Sequence, residues 1–505
     1  MSRENDQTQN KKRSMNIVWT VVAFVVLFAI LLIPTPDGLP VVGHMALAIL
    51  AFAVIMWVTE AVSYPTSSVM ILALIILLIG FSPAGELGDY LTKGAASGSD
   101  LVGTKNSLSL AFSGYSSSAL VLVAAALFLA AAMQATNLHK RLALVVLSLV
   151  GNKTSRIVIG SIIVAIILAF FVPSATARAG AVIPILIGMI TAFNISKDSK
   201  LAGLLVITAV QAVSIWNIGI KTAAAQNLVA VNFISDTMGV DISWGEWFLY
   251  AAPWSILMSI VLYFVMMKVM KPEYDEVPGG SEMIKQQLDD MGKISGREWR
   301  LIIISVLLLL GWATEKVLHP IDSSSLTLVA IAIMLMPKIG VIKWEDAVKY
   351  IPWGTVIVFG AGISLGSLLL NTGGAQWLSD KTFGSLGLDS MPILATIIIV
   401  SIFNVLIHLG FASATSLAAA LIPVFISLTA TLDLGDQAIG FVLIQQFVIS
   451  FGFLLPISSP QGMLAYGSET FTVKQYFKTG VPLTIIGLLL IFLFSATYWK
   501  WIGLI

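Results

Sequence analysis

Ser174-Ala175-Thr176, then six residues, then Ile183-Pro184, is followed 239 residues later by Ser413-Ala414-Thr415, six residues, and Ile422-Pro423. Both tripeptides lie inside apolar sequence. A small polar tripeptide in mid-helix breaks the helix in two, so the second half begins with unpaired backbone N–H groups and the positive end of a helix dipole. The same break in two halves of one chain is the pattern of a membrane transporter built from two repeats, with its binding site where the breaks meet. Small hydroxylated residues also allow close helix packing. That role does not require the same tripeptide and the same downstream Ile-Pro at a single offset.

The composition points the same way. Of 505 residues, 57% are apolar and 11% charged, too little charge to cover a soluble domain of this size. Apolar runs at 17–34, 157–172, 247–270, 301–318 and 480–499 are long enough to cross a hydrocarbon core of about 30 Å at ~1.5 Å per residue, and the whole chain reads as ten or eleven crossings. The first run follows a polar tail at 1–14, lacks a small-residue cleavage site and ends at Pro34, Pro36 and Pro40, which predicts a retained helix instead of a signal peptide. Lys11, Lys12 and Arg13 precede it, and no Lys or Arg lies in the connection at 34–44, which predicts a cytoplasmic N-terminus in the cell membrane. No cysteine is present, which excludes disulfides and thiolate metal sites.

Five segments follow. Residues 1–106 hold scaffold helices and a Gly/Ser-rich interfacial connection at 84–106. Residues 107–246 hold the first repeat, with a hairpin at 107–137 tipped by Ser113-Gly114-Tyr115-Ser116-Ser117-Ser118. Residues 247–350 hold further scaffold helices and a polar linker at 271–300, containing Lys271, Lys285, Lys293, Arg297 and Arg300 among acidic residues, expected on the cytoplasmic side. Residues 351–479 hold the second repeat, with a hairpin at 352–372, and residues 480–505 a last helix. A Ser/Gly tip between apolar flanks suits a re-entrant hairpin, because hydroxyls satisfy the backbone groups freed at the turn. Residues 343–349 and 472–478, charged and interleaved with aromatics, predict amphipathic helices lying in the interface.

After each tripeptide comes a second polar stretch. Residues 214–227 read S-I-W-N-I-G-I-K-T-A-A-A-Q-N and residues 450–462 read S-F-G-F-L-L-P-I-S-S-P-Q-G. The first carries too many Asn, Gln and Lys side chains for lipid contact, and the prolines of the second demand a broken helix. Three potential cations also stand in apolar segments: Arg178, Lys221 and His408. Such residues are costly in a bilayer and face a cavity or a partner.

The paired tripeptides and the paired polar stretches resemble the divalent anion:sodium symporter family, which carries di- and tricarboxylates. There each repeat has Ser-Asn-Thr at the positions of Ser174 to Thr176 and Ser413 to Thr415, and Leu455-Pro456-Ile457-Ser458-Ser459-Pro460-Gln461-Gly462 is similar to the family's Leu-Pro-Val-Ala-Thr-Pro-Pro-Asn. The resemblance implies an all-α polytopic protein of two inverted repeats, each with a re-entrant hairpin and a broken transmembrane helix, forming a homodimer in which a transport part moves against a scaffold. It implies substrate contacts from Ser174, Ala175, Thr176, Ser413, Ala414, Thr415, Ser459 and Pro460. This chain departs from the pattern at Ala175 and Ala414, where the amides that bridge substrate and sodium are missing, and at Ala223-Ala224-Ala225-Gln226-Asn227, which replaces Gly-Thr-Pro-Pro-Asn. Thr176-Ala177-Arg178 is in turn similar to the run in the family's exchangers.

The expectation is therefore a sodium-independent exchanger of 2-oxoglutarate-, malate- or succinate-type dicarboxylates, with Lys221, His408 and Arg178 supplying the positive charge that sodium supplies elsewhere. A sodium-coupled di- or tricarboxylate symporter is the alternative. No cofactor, no catalytic or metal-ligating residue set and no nucleic-acid partner are expected. A channel would want rings of acidic residues or a carbonyl filter, and a membrane enzyme a catalytic set; neither pattern is found.

Overall fold

The computed structural model describes residues 2–84, 101–192, 195–277 and 279–505. Among these residues the protein is helical throughout, with isolated β-bridges in place of any sheet. Ten helices are long and apolar enough to cross a membrane. The first, Ser2–Leu32, carries the polar N-terminal tail as its own opening turns.

The two halves run through the same elements in the same order. Ser118–Ala135 and Leu138–Val150 in the first half correspond to Trp353–Asn371 and Gly374–Phe383 in the second; Thr154–Phe171 corresponds to Ile393–His408, and Ala175–Ala192 to Ala414–Thr431. Lys200–Gly219 is followed by a 3-10 turn at Lys221–Ala223 and the helix Ala225–Met238, as Ala438–Ile449 is followed by Pro456–Ser458 and Pro460–Tyr466. Long helices, Trp244–Val269 and Val473–Ala496, close each series. The breaks share backbone geometry. Ile220 and Leu455 enter at φ/ψ of −124/122° and −128/139°, and Ala224 and Ser459 leave at −147/139° and −154/146°. Both motif helices also hold an internal proline, Pro184 and Pro423, which removes one helical hydrogen bond at the same place in each.

Lys200–Gly219 is buried along its whole length, as expected of a helix that is apolar on every side. Around it the serines Ser255 and Ser259 of the closing helix meet Ile215 O at 3.0 Å and Trp216 Nε1 at 3.0 Å. Trp247 Nε1 donates to Ile218 O at 2.9 Å, so the last turn before the first break is held by side chains of the neighbouring helix.

Several details differ from the sequence reading. Ser113–Ser116 is a 3-10 turn between the helices Thr104–Ala111 and Ser118–Ala135. Gly114 N donates to Ser364 Oγ at 3.0 Å and Tyr115 Oη to Ile357 O at 2.8 Å, while the hydroxyls of Ser113, Ser116 and Ser117 bond to carbonyls of the turn itself. The tight turns of the two helix pairs fall instead at Asn137 (φ 56°) and Gly373 (φ 73°), residue types that tolerate the left-handed region. Residues 472–478 are not a separate interfacial helix. Thr472 and Gln475 form a capping box that makes them the first turns of Val473–Ala496. Trp344–Tyr350 is a short helix as expected, whereas most of the connection at 84–106 lies outside the described residues.

The contact between Gly360 and Tyr115 gives a test. A Cβ on Gly360 would stand 2.7 Å from the Tyr115 ring, while one on Gly384 would meet nothing within 4 Å. Gly360→Val is expected to destabilise by about 1–3 kcal/mol and Gly384→Ala to have little effect, read as thermal unfolding of purified protein in detergent.

Candidate functional site

One cavity of about 680 Å³ collects the starts of the broken helices. Its wall includes Ser174, Ala175, Thr176 and Ala177 at the head of Ala175–Ala192, and Ser413, Ala414 and Thr415 at the head of Ala414–Thr431. Ala224, Ala225 and Gln226 at the head of Ala225–Met238, and Ser459, Pro460 and Gln461 at the next break, complete that side. Three helices of fourteen residues or more thus begin at the same space, and each brings a partial charge of roughly +0.5. A small dianion is the natural ligand of such a space.

The hydroxyls divide into two sets. Ser174 Oγ accepts from Ala177 N at 3.3 Å, Ser413 Oγ from Ser416 N at 3.2 Å, and Ser459 Oγ from Gly462 N at 3.2 Å. These serines are helix N-caps, and capping fixes where each helix begins. Thr176 and Thr415 line the cavity two residues later, and their hydroxyls, like Ser458 Oγ, have no protein partner among the described residues.

The carbonyls freed by the breaks are tied elsewhere. Asn227 Nδ2 donates to Asn217 O at 2.7 Å and Ile220 O at 3.1 Å, and Arg178 Nη2 donates to Ala223 O at 2.9 Å and to Asn217 Oδ1. His408 Nε2 lies 3.2 Å from Ser458 O. Backbone acceptors are therefore engaged by side chains, and backbone donors at the helix starts face the cavity.

All eight residues expected at the substrate are brought together on this wall, with His408 beside them. Arg178 stands one layer behind, fully buried, bonded to Asn217 and Ala223, which do line the cavity. Its Nε and Nη1 have no partner, and no carboxylate pairs with it among the described residues. Lys221 is placed differently from the expectation: it is absent from the cavity wall, and its ammonium reaches Ile242 O at 2.5 Å. The 3-10 turn carries this side chain outward, toward the acidic residues Asp241, Glu246 and Glu315.

The opposite wall was not singled out in the sequence. It is formed by Tyr64, Pro65, Gln134, His139, Tyr350 and Thr355, among others. Nothing in their local sequence marks them, because they come from five separate elements that meet only in the fold. Gln226 and Gln461 lay inside stretches recognised as polar, but their equivalence is hidden by a change of offset from 239 to 235.

Comparisons agree with this architecture. The family described as the sodium:sulfate symporter transmembrane region matches residues 14–505. A membrane protein of Cupriavidus necator is 46% identical over 490 residues, covering 97% of this chain and 94% of its own. The citrate/succinate antiporter of Escherichia coli is 26% identical over 474 residues, 92% of this chain and 94% of its own. The sodium-dependent dicarboxylate transporter SdcS of Staphylococcus saprophyticus is 24% identical over 513 residues, 97% of this chain and 92% of its own. Among solved structures, the YdaH transporter of Alcanivorax borkumensis, described as having an unusual topology, matches with a TM-score of 0.53 at 13% identity, over 86% of this chain and 98% of that one. That likeness concerns the fold alone.

The two sets of hydroxyls can be separated experimentally. Ser413→Ala removes a cap and is expected to cost about 1 kcal/mol of stability. Thr415→Val is expected to leave stability within about 0.5 kcal/mol while weakening the protection that a small dianion gives against thermal unfolding.

Proposed function

Since the chain belongs to the sodium:sulfate symporter family, the divalent anion:sodium symporters its paired motifs resemble, we propose that it exchanges dicarboxylates across the cytoplasmic membrane without sodium. The observation that carries this reading is the buried Arg178 guanidinium, without a carboxylate partner among the described residues, tied directly to two residues of the cavity wall. A fixed cation in a low-dielectric interior costs several kcal/mol unless an anion approaches. An empty carrier then crosses the membrane reluctantly and a loaded one readily, which makes exchange obligatory. His408, on the wall itself, bonds Ser458 O through Nε2 and leaves its Nδ1 without a partner among the described residues, which adds a polar ring to the site.

On this reading Thr176 and Thr415, with the N–H groups at the heads of the motif helices, receive the two carboxylates. The two series of elements form inverted repeats with re-entrant hairpins, and a transport part moves against a scaffold within a homodimer whose N-termini are cytoplasmic. The antiporter and the sodium-dependent transporter among the relatives are both named for carboxylates, which supports the substrate class. The missing amides at Ala175 and Ala414 and the presence of Arg178 favour the antiporter's mode.

Liposomes test this directly. Efflux of labelled succinate, malate or 2-oxoglutarate from preloaded vesicles is expected to require external dicarboxylate and to be unchanged when potassium replaces sodium. Robust sodium-dependent net uptake would overturn the proposal. Arg178→Gln keeps a hydrogen-bonding side chain but not the charge, and is expected to slow exchange roughly tenfold or more, on the order of one charge-assisted interaction.

A further inference from the structure

The two breaks hold a matched pair of glutamines. Gln226 is the second residue of Ala225–Met238 and Gln461 the second residue of Pro460–Tyr466. Both line the cavity, both are less than a tenth exposed, and each is anchored by a serine of the other half. Gln226 Nε2 donates to Ser450 Oγ at 3.2 Å, and Gln461 Nε2 donates to Ser214 Oγ at 3.1 Å. Ser214 gives its own proton to Val210 O at 3.2 Å, so its oxygen is the acceptor and the amide nitrogen must be the donor.

Each anchored amide keeps a second N–H and its carbonyl. No protein group among the described residues takes either one. A buried amide half-used by the protein and facing a cavity that collects helix N-termini is placed to donate to a carboxylate. The same cavity wall has alanine at the centre of both tripeptides, Ala175 and Ala414, where no side chain can donate.

We propose that Gln226 and Gln461 are the pair of amide ligands of this site, one to each carboxylate of the substrate, and that they set its preference for two-headed anions. The crossed serine anchors make Ser214 and Ser450 positioning residues. Each holds the amide belonging to the opposite half, so the donor pair is assembled only when both breaks are docked. This rests on the dicarboxylate reading and adds to it the groups that recognise two carboxylates instead of one.

The test is counterflow in liposomes with succinate and with butyrate, which share a four-carbon chain and differ by one carboxylate. Gln226→Ala and Gln461→Ala are each expected to raise the half-saturating succinate concentration roughly tenfold or more, the worth of one hydrogen bond to a charged group. The double variant should lose most of the discrimination against butyrate. Ser450→Ala and Ser214→Ala read the same contacts from the anchor side and are expected to raise it severalfold, which keeps the test open if a glutamine variant fails to fold. Wild-type exchange with unchanged half-saturation and unchanged discrimination in the folded variants would overturn the inference alone. A wild-type protein that takes no dicarboxylate would overturn it together with the function it rests on.

Discussion

The structure depends on keeping backbone donors free inside a bilayer. An unpaired N–H in hydrocarbon costs several kcal/mol, so a chain that opens four helices into one interior space needs a reason to do so and a means of sustaining it. The means is visible in the caps. Ser174, Ser413 and Ser459 each take up one N–H of the turn they start, which fixes the helix ends. The corresponding carbonyls are bound by Asn227, Arg178 and His408. What remains is an excess of positive potential in a cavity, and a dianion is what such a potential holds.

The halves repeat in backbone but not in charge. Arg178 matches Leu417 at the motif offset, and Lys221 and Asn227 match Pro456 and Gly462 at the break offset. The first half therefore supplies the guanidinium and the amide that clamps its own break. The second supplies His408 and a proline-shaped turn closed by Gly462, where a Cβ would stand 2.3 Å from Pro456 O. The shared backbone frames the site from both halves, and the buried guanidinium stands on one side of it. Near the first break the wall residues Asn217 and Ala223 are backed by Arg178, while near the second the wall carries His408 itself.

Fold class and most of one cavity wall were legible in the sequence because they rest on local rules. The duplicated tripeptide marks helix starts, and capping is a matter of residue type and spacing. The prolines at 456 and 460 require a break whatever surrounds them. Lys221 was misplaced because a lysine stem of four carbons can carry its charge to either side of a turn, and only the 3-10 geometry decides which. The turn expected as a hairpin tip at Ser113–Ser118 was only half legible: the hydroxyls of Ser113, Ser116 and Ser117 bond back to carbonyls three residues earlier, but Gly114 N and Tyr115 Oη reach Ser364 and Ile357, some 240 positions away. The wall carrying Tyr64, Gln134 and His139 has no local signature at all. It exists through tertiary packing of elements whose sequences read as ordinary apolar helix.

The distribution of polar contacts bears on how such a site is held together. Across the breaks the two halves are joined by side-chain hydrogen bonds: Gln211 Nε2 to Phe453 O at 3.0 Å, Gln446 Nε2 to Asn227 Oδ1 at 3.3 Å, and the crossed Gln–Ser pairs. These directional bonds make the broken helices one body. Between that body and Trp353–Asn371 the contact is of another kind, with small apolar surfaces in close approach. A Cβ on Gly362 would stand 2.8 Å from the Ala419 Cβ, and one on Gly366 would stand 3.0 Å from Pro423. Among the described residues no side-chain hydrogen bond joins Trp353–Asn371 to Ala414–Thr431, although Thr431 Oγ1 bonds Gln376 and Asp380 of the next helix, and the Phe233 ring seats over Gly366. The two kinds of contact divide the work: directional bonds fix the breaks to each other, and close apolar packing seats the second-half helix against them. The crossed bonds that join the two breaks thus also hold the helix starts around one cavity.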